Sequence, residues 1–130
     1  MATSIRLNTT SVVGSVTQVI EIDVDSGAAV NDLVRINEGT PDLADVATNN
    51  LDNRVVIGII IEKLTTTRAR VALTGVIDDP DATTQGIIYL SATGRFTSTP
   101  PTTNYVQKLG FSFGNGKVDL KPDKTHVKLN

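Results

Sequence analysis

The sequence contains no cysteine and no tryptophan, one methionine, one histidine, and aromatic residues at only 4%. Each shortage removes a class of function. Without cysteine there is no disulfide framework, no thiolate zinc site and no thiol nucleophile. The lone imidazole, His126, stands in the polar tail Asp123-Lys124-Thr125-His126. No catalytic triad or transition-metal site is expected there, because both need an imidazole with positioned partners. Sugar-gripping clefts and grooves that stack single-stranded bases lean on aromatic rings, and the tyrosines are Tyr89 and Tyr105 alone, so both modes are disfavoured. Charge of one sign is also missing. Twelve basic residues face fourteen acidic ones, a formal charge of -2, which gives no electrostatic reason to bind nucleic acid or an anionic membrane. No run approaches the roughly eighteen apolar residues of a membrane helix. Met1 to Thr10 lacks the basic opening and apolar run of a signal peptide, so a soluble, unprocessed chain is expected.

What the chain does have is β-branched residues. Thr, Val and Ile supply 44 of the 130 residues (18, 15 and 11). Branching at the β-carbon restricts a side chain in a helix and suits it to a pleated surface, and no sustained three-four apolar spacing competes with that bias. The reading is therefore all-β, a compact β-barrel or β-sandwich with long loops. Residues 17–130 form a single β domain and residues 1–16 an irregular N-terminal arm.

Alternation places the strands. In Val19–Val24, Ile20, Ile22 and Val24 share one face and Glu21 and Asp23 the other, a half-buried strand. Asp32–Asn37 alternates less cleanly, with Leu33 and Arg35 opposite Val34 and Ile36. Glu38–Asn53, rich in Gly, Pro, Asp, Thr and Asn, reads as a loop with at most one helical turn near Leu43–Thr48. Val55–Leu64 and Arg68–Ile77, separated by Thr65-Thr66-Thr67, read as a hairpin. Ile87–Ser91, Arg95–Thr97, Tyr105–Gly114 and Lys117–Lys121 supply the remaining strands. Asn115-Gly116 is expected to form a type I′ turn with positive φ at both positions.

Two patterns need more than strand assignment. Asp32–Gly39, a loop, then Arg54–Ile59 is echoed by Gly86–Gly94, a loop, then Val106–Phe111. The echo suggests two similar β-modules closing one barrel or sandwich, with Gly58 and Gly110 where strands bend or backbones approach; a chance repetition of strand and turn explains it as well. The stretch Val55–Ile61 is apolar on both faces, which a surface strand should not be. Either it is central in the chain's own core, or another subunit covers part of it. The second reading makes Ile57, Ile59, Ile60 and Ile61 subunit-interface candidates, together with Pro100 and Pro101 in the loop Thr97–Thr103.

Sites for chemistry are weak. Asp78, Asp79 and Asp81 could offer oxygens to calcium, but they lack the spaced acidic ladder of a calcium loop and read as a solvated turn. Gly114-Asn115-Gly116-Lys117 lacks P-loop spacing and continues into a β pattern. No cofactor, no metal and no enzymatic activity are expected.

The stretches Val55–Leu64, Arg70–Val76, Gly86–Pro101 and Val106–Phe111 together resemble tailed-phage head decoration (cement) proteins and related β-modules of phage fibre and tail proteins. The likeness covers roughly residues 30 to 122. Its most distinctive part is the order Tyr-Leu-Ser strand, Gly turn, Thr-Pro-Pro loop, Val-Gln-Lys-Leu-Gly strand. The resemblance implies a homotrimer on the outer surface of the capsid in the virion, clamping neighbouring capsomers, with the major capsid protein as partner. Ile5, Arg6 and Leu7, in the N-terminal arm, are candidates for the capsid contact. The alternatives are a domain of a phage fibre or baseplate protein and a carbohydrate-binding β domain.

Overall fold

The computed structural model describes residues 8–12, 15–37, 39–40, 42–49, 55–125 and 127–128. Among them there is no helix. In chain order the strands are β1 (Asn8–Val12), β2 (Ser15–Val24), β3 (Leu33–Ile36), β4 (Leu43–Val46), β5 (Gly58–Thr65), β6 (Arg68–Asp78), β7 (Gly86–Leu90), β8 (Phe96–Thr97), β9 (Tyr105–Val106), β10 (Lys108–Ser112), β11 (Lys117–Leu120) and β12 (Val127–Lys128).

Five strands close a barrel in the order β2–β4–β3–β5–β6, and β6 pairs back onto β2 from Gln18↔Thr74 to Asp23↔Arg68. The β2–β4 pair is parallel and the other pairs in the ring are antiparallel. Residues two apart on a strand share a face, so the alternating sets point inward together. Ile20, Ile22 and Val24 meet Val34, Ala44, Ile60, Ala69 and Val71 in one core.

A second layer grows out of the same strand. Beyond Thr74, β6 leaves β2, and Gly75–Asp78 pair with β11, which continues through β10 and β7 to β8. The inward side chains Ile88, Leu90, Leu109, Val118 and Leu120 pack onto Leu33, Ile59 and Ala72, which point out of the barrel. The two-faced strand is thereby explained: Ile60 fills the barrel, Ile59 fills the layer between barrel and second sheet, and both are 0% exposed. The expectation that another subunit covers these two residues is corrected, because the chain covers them itself. Its 6870 Å² of exposed surface is close to the roughly 6,600 Å² expected of a folded chain of this mass.

Three further expectations change. The stretch read as a loop contains β4, which the barrel needs for closure. Residues 8–12 and 15–16, assigned to the arm, form a regular antiparallel ribbon, Asn8↔Val19 to Val12↔Ser15. In the β10–β11 hairpin, positive φ falls on Gly114 and Gly116 and not on Asn115, and Phe113 N–H donates to Lys117 C=O at 3.0 Å. The loop is thus three residues long and not a two-residue type I′ turn.

The internal echo is structural. Leu33↔Ile59 and Val34↔Gly58 between β3 and β5 correspond to Ile87↔Phe111 and Ile88↔Gly110 between β7 and β10. One strand further, Ile59↔Ala72 and Ile60↔Val71 correspond to Phe111↔Asp119 and Ser112↔Val118. A β-carbon added at Gly58 would strike the Ala72 carbonyl oxygen, and one at Gly110 the Asp119 carbonyl oxygen, the matching atom in each unit. The units do not close one barrel between them: β3–β5–β6 belongs to the barrel, and β7–β10–β11 lies over it.

Candidate functional site

The candidate residues scatter. Ile57 is half-buried against the barrel core and Ile61 against the interlayer core, while Ile59 and Ile60 have no exposed surface. Pro100 is exposed and Pro101 half-buried, beside a shallow depression shared with Asn49, Ser91 and Thr97. Ile5, Arg6, Leu7 and His126 lie outside the described residues.

The polar clusters are structural. On the outer side of β3 and β4, Arg35 Nη2 donates to Asp45 Oδ2 at 3.0 Å, and Asn37 Nδ2 donates to the same oxygen at 2.6 Å. Both charged residues are buried, a setting in which only a paired charge is tolerated. A hydrogen bond with the Asp45 carboxyl, followed by burial, raises the pKa of Asp25 above the ordinary carboxylate value. Arg95 ties the β2–β3 turn to the β6–β7 connector: its Nε donates to Asp32 Oδ1 at 2.8 Å and its Nη1 to Asp81 Oδ2 at 3.3 Å. The hydrogen bond to Asp32 stabilises its charged form.

The carboxylates of the acidic turn pair within the chain. Asp78 pairs with Lys117 at 2.5 Å, Asp81 pairs with Arg95, and Asp79 turns inward, where its Oδ1 accepts the Asp81 N–H at 2.9 Å. Among the described residues no group of three or more His, Cys, Asp and Glu is placed to hold a metal ion. The turn is not wholly solvated either. Asp79 is 0% exposed and its Oδ2 has no hydrogen-bond partner among the described residues, and burial raises its pKa.

The best candidate surface was not singled out from the sequence. It is the outer face of β7, β10 and β11, where Ile87 pairs in register with Phe111, and Phe111 meets Phe113 edge to face with ring centroids 5.9 Å apart. Beside Ile87 and Phe111 lies an open cleft of about 530 Å³, whose lining includes Lys108, Lys121, Lys124, Asp119 and Asp123. The sequence signal is inverted here. In Phe111-Ser112-Phe113 the serine is fully buried and both rings are exposed, because the pairings Ile88↔Gly110 and Val118↔Ser112 fix the register. Ser112 Oγ accepts the Gly114 N–H at 3.2 Å, which satisfies the buried hydroxyl.

Comparison with known proteins finds no matching family model, no similar curated protein and no similar solved structure.

Proposed function

We propose that this chain is a structural virion protein that binds the outside of an assembled phage capsid and clamps neighbouring capsomers as a homotrimer, with the major capsid protein as its partner. The observation that carries this reading is the N-terminal ribbon. β1 pairs with residues 15–19 of β2, whereas β6 joins β2 only from Gln18 onward. At residues 15–17 the pairing partner of β2 among the described residues is therefore β1 alone. A two-stranded arm on a closed barrel offers edge N–H and C=O groups that a strand of another chain can extend. The arm leads back to Ile5, Arg6 and Leu7, the capsid-contact candidates. The resemblance of residues 30 to 122 to decoration proteins supports the same reading. A protein that binds only the assembled lattice stabilises that lattice by mass action.

The test is to mix the purified chain with assembled shells and with free capsomers, and to image the particles by cryo-microscopy. Density on the outside of the head, lost when residues 1–14 are deleted from a chain that still folds, is the expected result. Equal binding to free capsomers, or no density on heads, overturns the proposal. Density on the tail supports the fibre or baseplate alternative, and glycan binding in the cleft beside Phe111 supports the carbohydrate-binding one.

A further inference from the structure

The two three-stranded units differ in what covers them. In the first, the outward pair Leu33 and Ile59 is sealed beneath the second unit. In the second, the matching pair Ile87 and Phe111 is 46% and 37% exposed. Both units thus carry large apolar residues at the same two positions, and where those positions are covered the cover is a β-sheet of this chain. Phe113, 43% exposed, extends the uncovered strip toward the β10–β11 turn.

We propose that copies of this chain meet through the outer face of β7–β10–β11, with Ile87, Phe111 and Phe113 at the centre of the contact. The covered twin positions and the mixed charge favour a second copy over a uniformly charged occupant. Asp119 sits directly opposite Phe111, so the middle of the strip repels a uniformly anionic partner such as nucleic acid or a lipid headgroup layer. Lys108, Lys121 and Lys124 around it repel a uniformly cationic one. A second copy brings both signs, so the lysines of one copy can face the aspartates of the next, as a head-to-tail contact that closes a ring requires. The edge-to-face contact of Phe111 with Phe113 already restrains both rings, so less side-chain freedom is lost on association. This inference rests on the homo-oligomeric part of the proposed function and names the surface responsible for it.

The experiment is size-exclusion chromatography with light scattering on the full chain at micromolar concentration, beside the double variant Ile87→Lys, Phe111→Lys. The expected result is a multiple of 13.8 kDa for the wild type and a single folded chain for the variant. Each substitution alone is expected to raise the dissociation constant about thirtyfold or more, as for a central interface residue. A folded double variant that keeps the wild-type mass overturns this surface and leaves self-association standing. A wild type that stays a single molecule overturns both the surface and the trimer. If that single molecule loses shell binding on the double substitution, the face docks the shell, which overturns self-association while the capsid reading stands. Should the double variant fail to fold, hydrogen exchange on the wild type across a dilution series decides. Protection of residues 108–113 that falls on dilution is expected, and protection independent of concentration overturns the proposal.

Discussion

Gln107 holds Val56 as a neighbouring strand would. Its Oε1 accepts the Val56 N–H at 2.9 Å, and its Nε2 donates to the Val56 C=O at 3.1 Å and to the Asp123 C=O at 2.8 Å. Gln107 is 1% exposed and Val56 0%, so one side chain satisfies the backbone at the entry to β5 and ties it to the C-terminal segment. Gln107→Ala leaves a buried N–H and a buried C=O unpaired, and is expected to cost about 2 kcal/mol or more in a urea titration.

Gln107→Glu sharpens that test. A carboxylate facing two carbonyl oxygens is disfavoured, so the pKa of the new Glu in the folded state is expected above its unfolded value. The stability of this variant should then be greatest in acid and be lost as pH rises through the raised folded pKa. A variant whose difference from wild type stays constant from pH 4 to pH 8 would falsify the hydrogen-bond assignment.

Arg35 and Asp45 form a buried pair 3.0 Å apart. Asp45→Ala strands the guanidinium and removes an acceptor from Asn37, and is expected to cost about 3 kcal/mol. Arg35→Met combined with Asp45→Leu should cost less than Asp45→Ala alone, since no buried charge is left. The same Asp45→Ala change should lower the pKa of Asp25 toward the ordinary carboxylate value, readable by carboxyl NMR titration, because the hydrogen bond with Asp45 is the leading cause of its rise.

Asp79 is expected to work against folding at neutral pH. Burial raises its pKa in the folded state, so its contribution is most favourable below the unfolded carboxylate pKa and declines as pH rises through the folded value. Asp79→Asn keeps an oxygen for the Asp81 N–H and removes the charge. It should raise the melting temperature at pH 7 and have little effect near pH 3. A lower melting temperature at pH 7 would contradict the inward placement of the carboxylate.

The paired glycines give a test of the repeat. Gly58→Ala and Gly110→Ala each drive a methyl group into a carbonyl oxygen of the next strand, and Gly110 also has φ of 136°. Each should destabilise by about 2 kcal/mol or more. Gly27→Ala, with open space around the added carbon, should be neutral to slightly stabilising, by about 0.5 kcal/mol.

Much of the barrel was legible because its strands obey a period of two: Ile20, Ile22 and Val24 enter one core, as do Val34 and Ile36. The echo around Gly58 and Gly110 was legible because a backbone contact that only glycine permits recurs at the same register. β4 was not legible. Its four residues include Asp45, whose burial depends on Arg35 ten positions away, and its parallel pairing with β2 is a long-range closure that leaves no local pattern. The assignment of Ile59 and Ile60 to a subunit contact failed for a related reason. Two apolar faces on one strand show that both are covered, and only the path of the chain shows by what. The exposed Phe111 and Phe113 escaped notice because burial of Ser112 inverts the usual pattern of polarity.

Because β6 belongs to both sheets, the barrel and its overlying layer are joined by continuous backbone as well as by contact. A pull on the N-terminal ribbon would load β2, pass through the β2–β6 ladder along one uninterrupted strand, and reach β11 and β10 in shear. Many hydrogen bonds would then resist together rather than unzip in turn. Under tension such a fold would behave as a strap, carrying load from its ribbon to its far face.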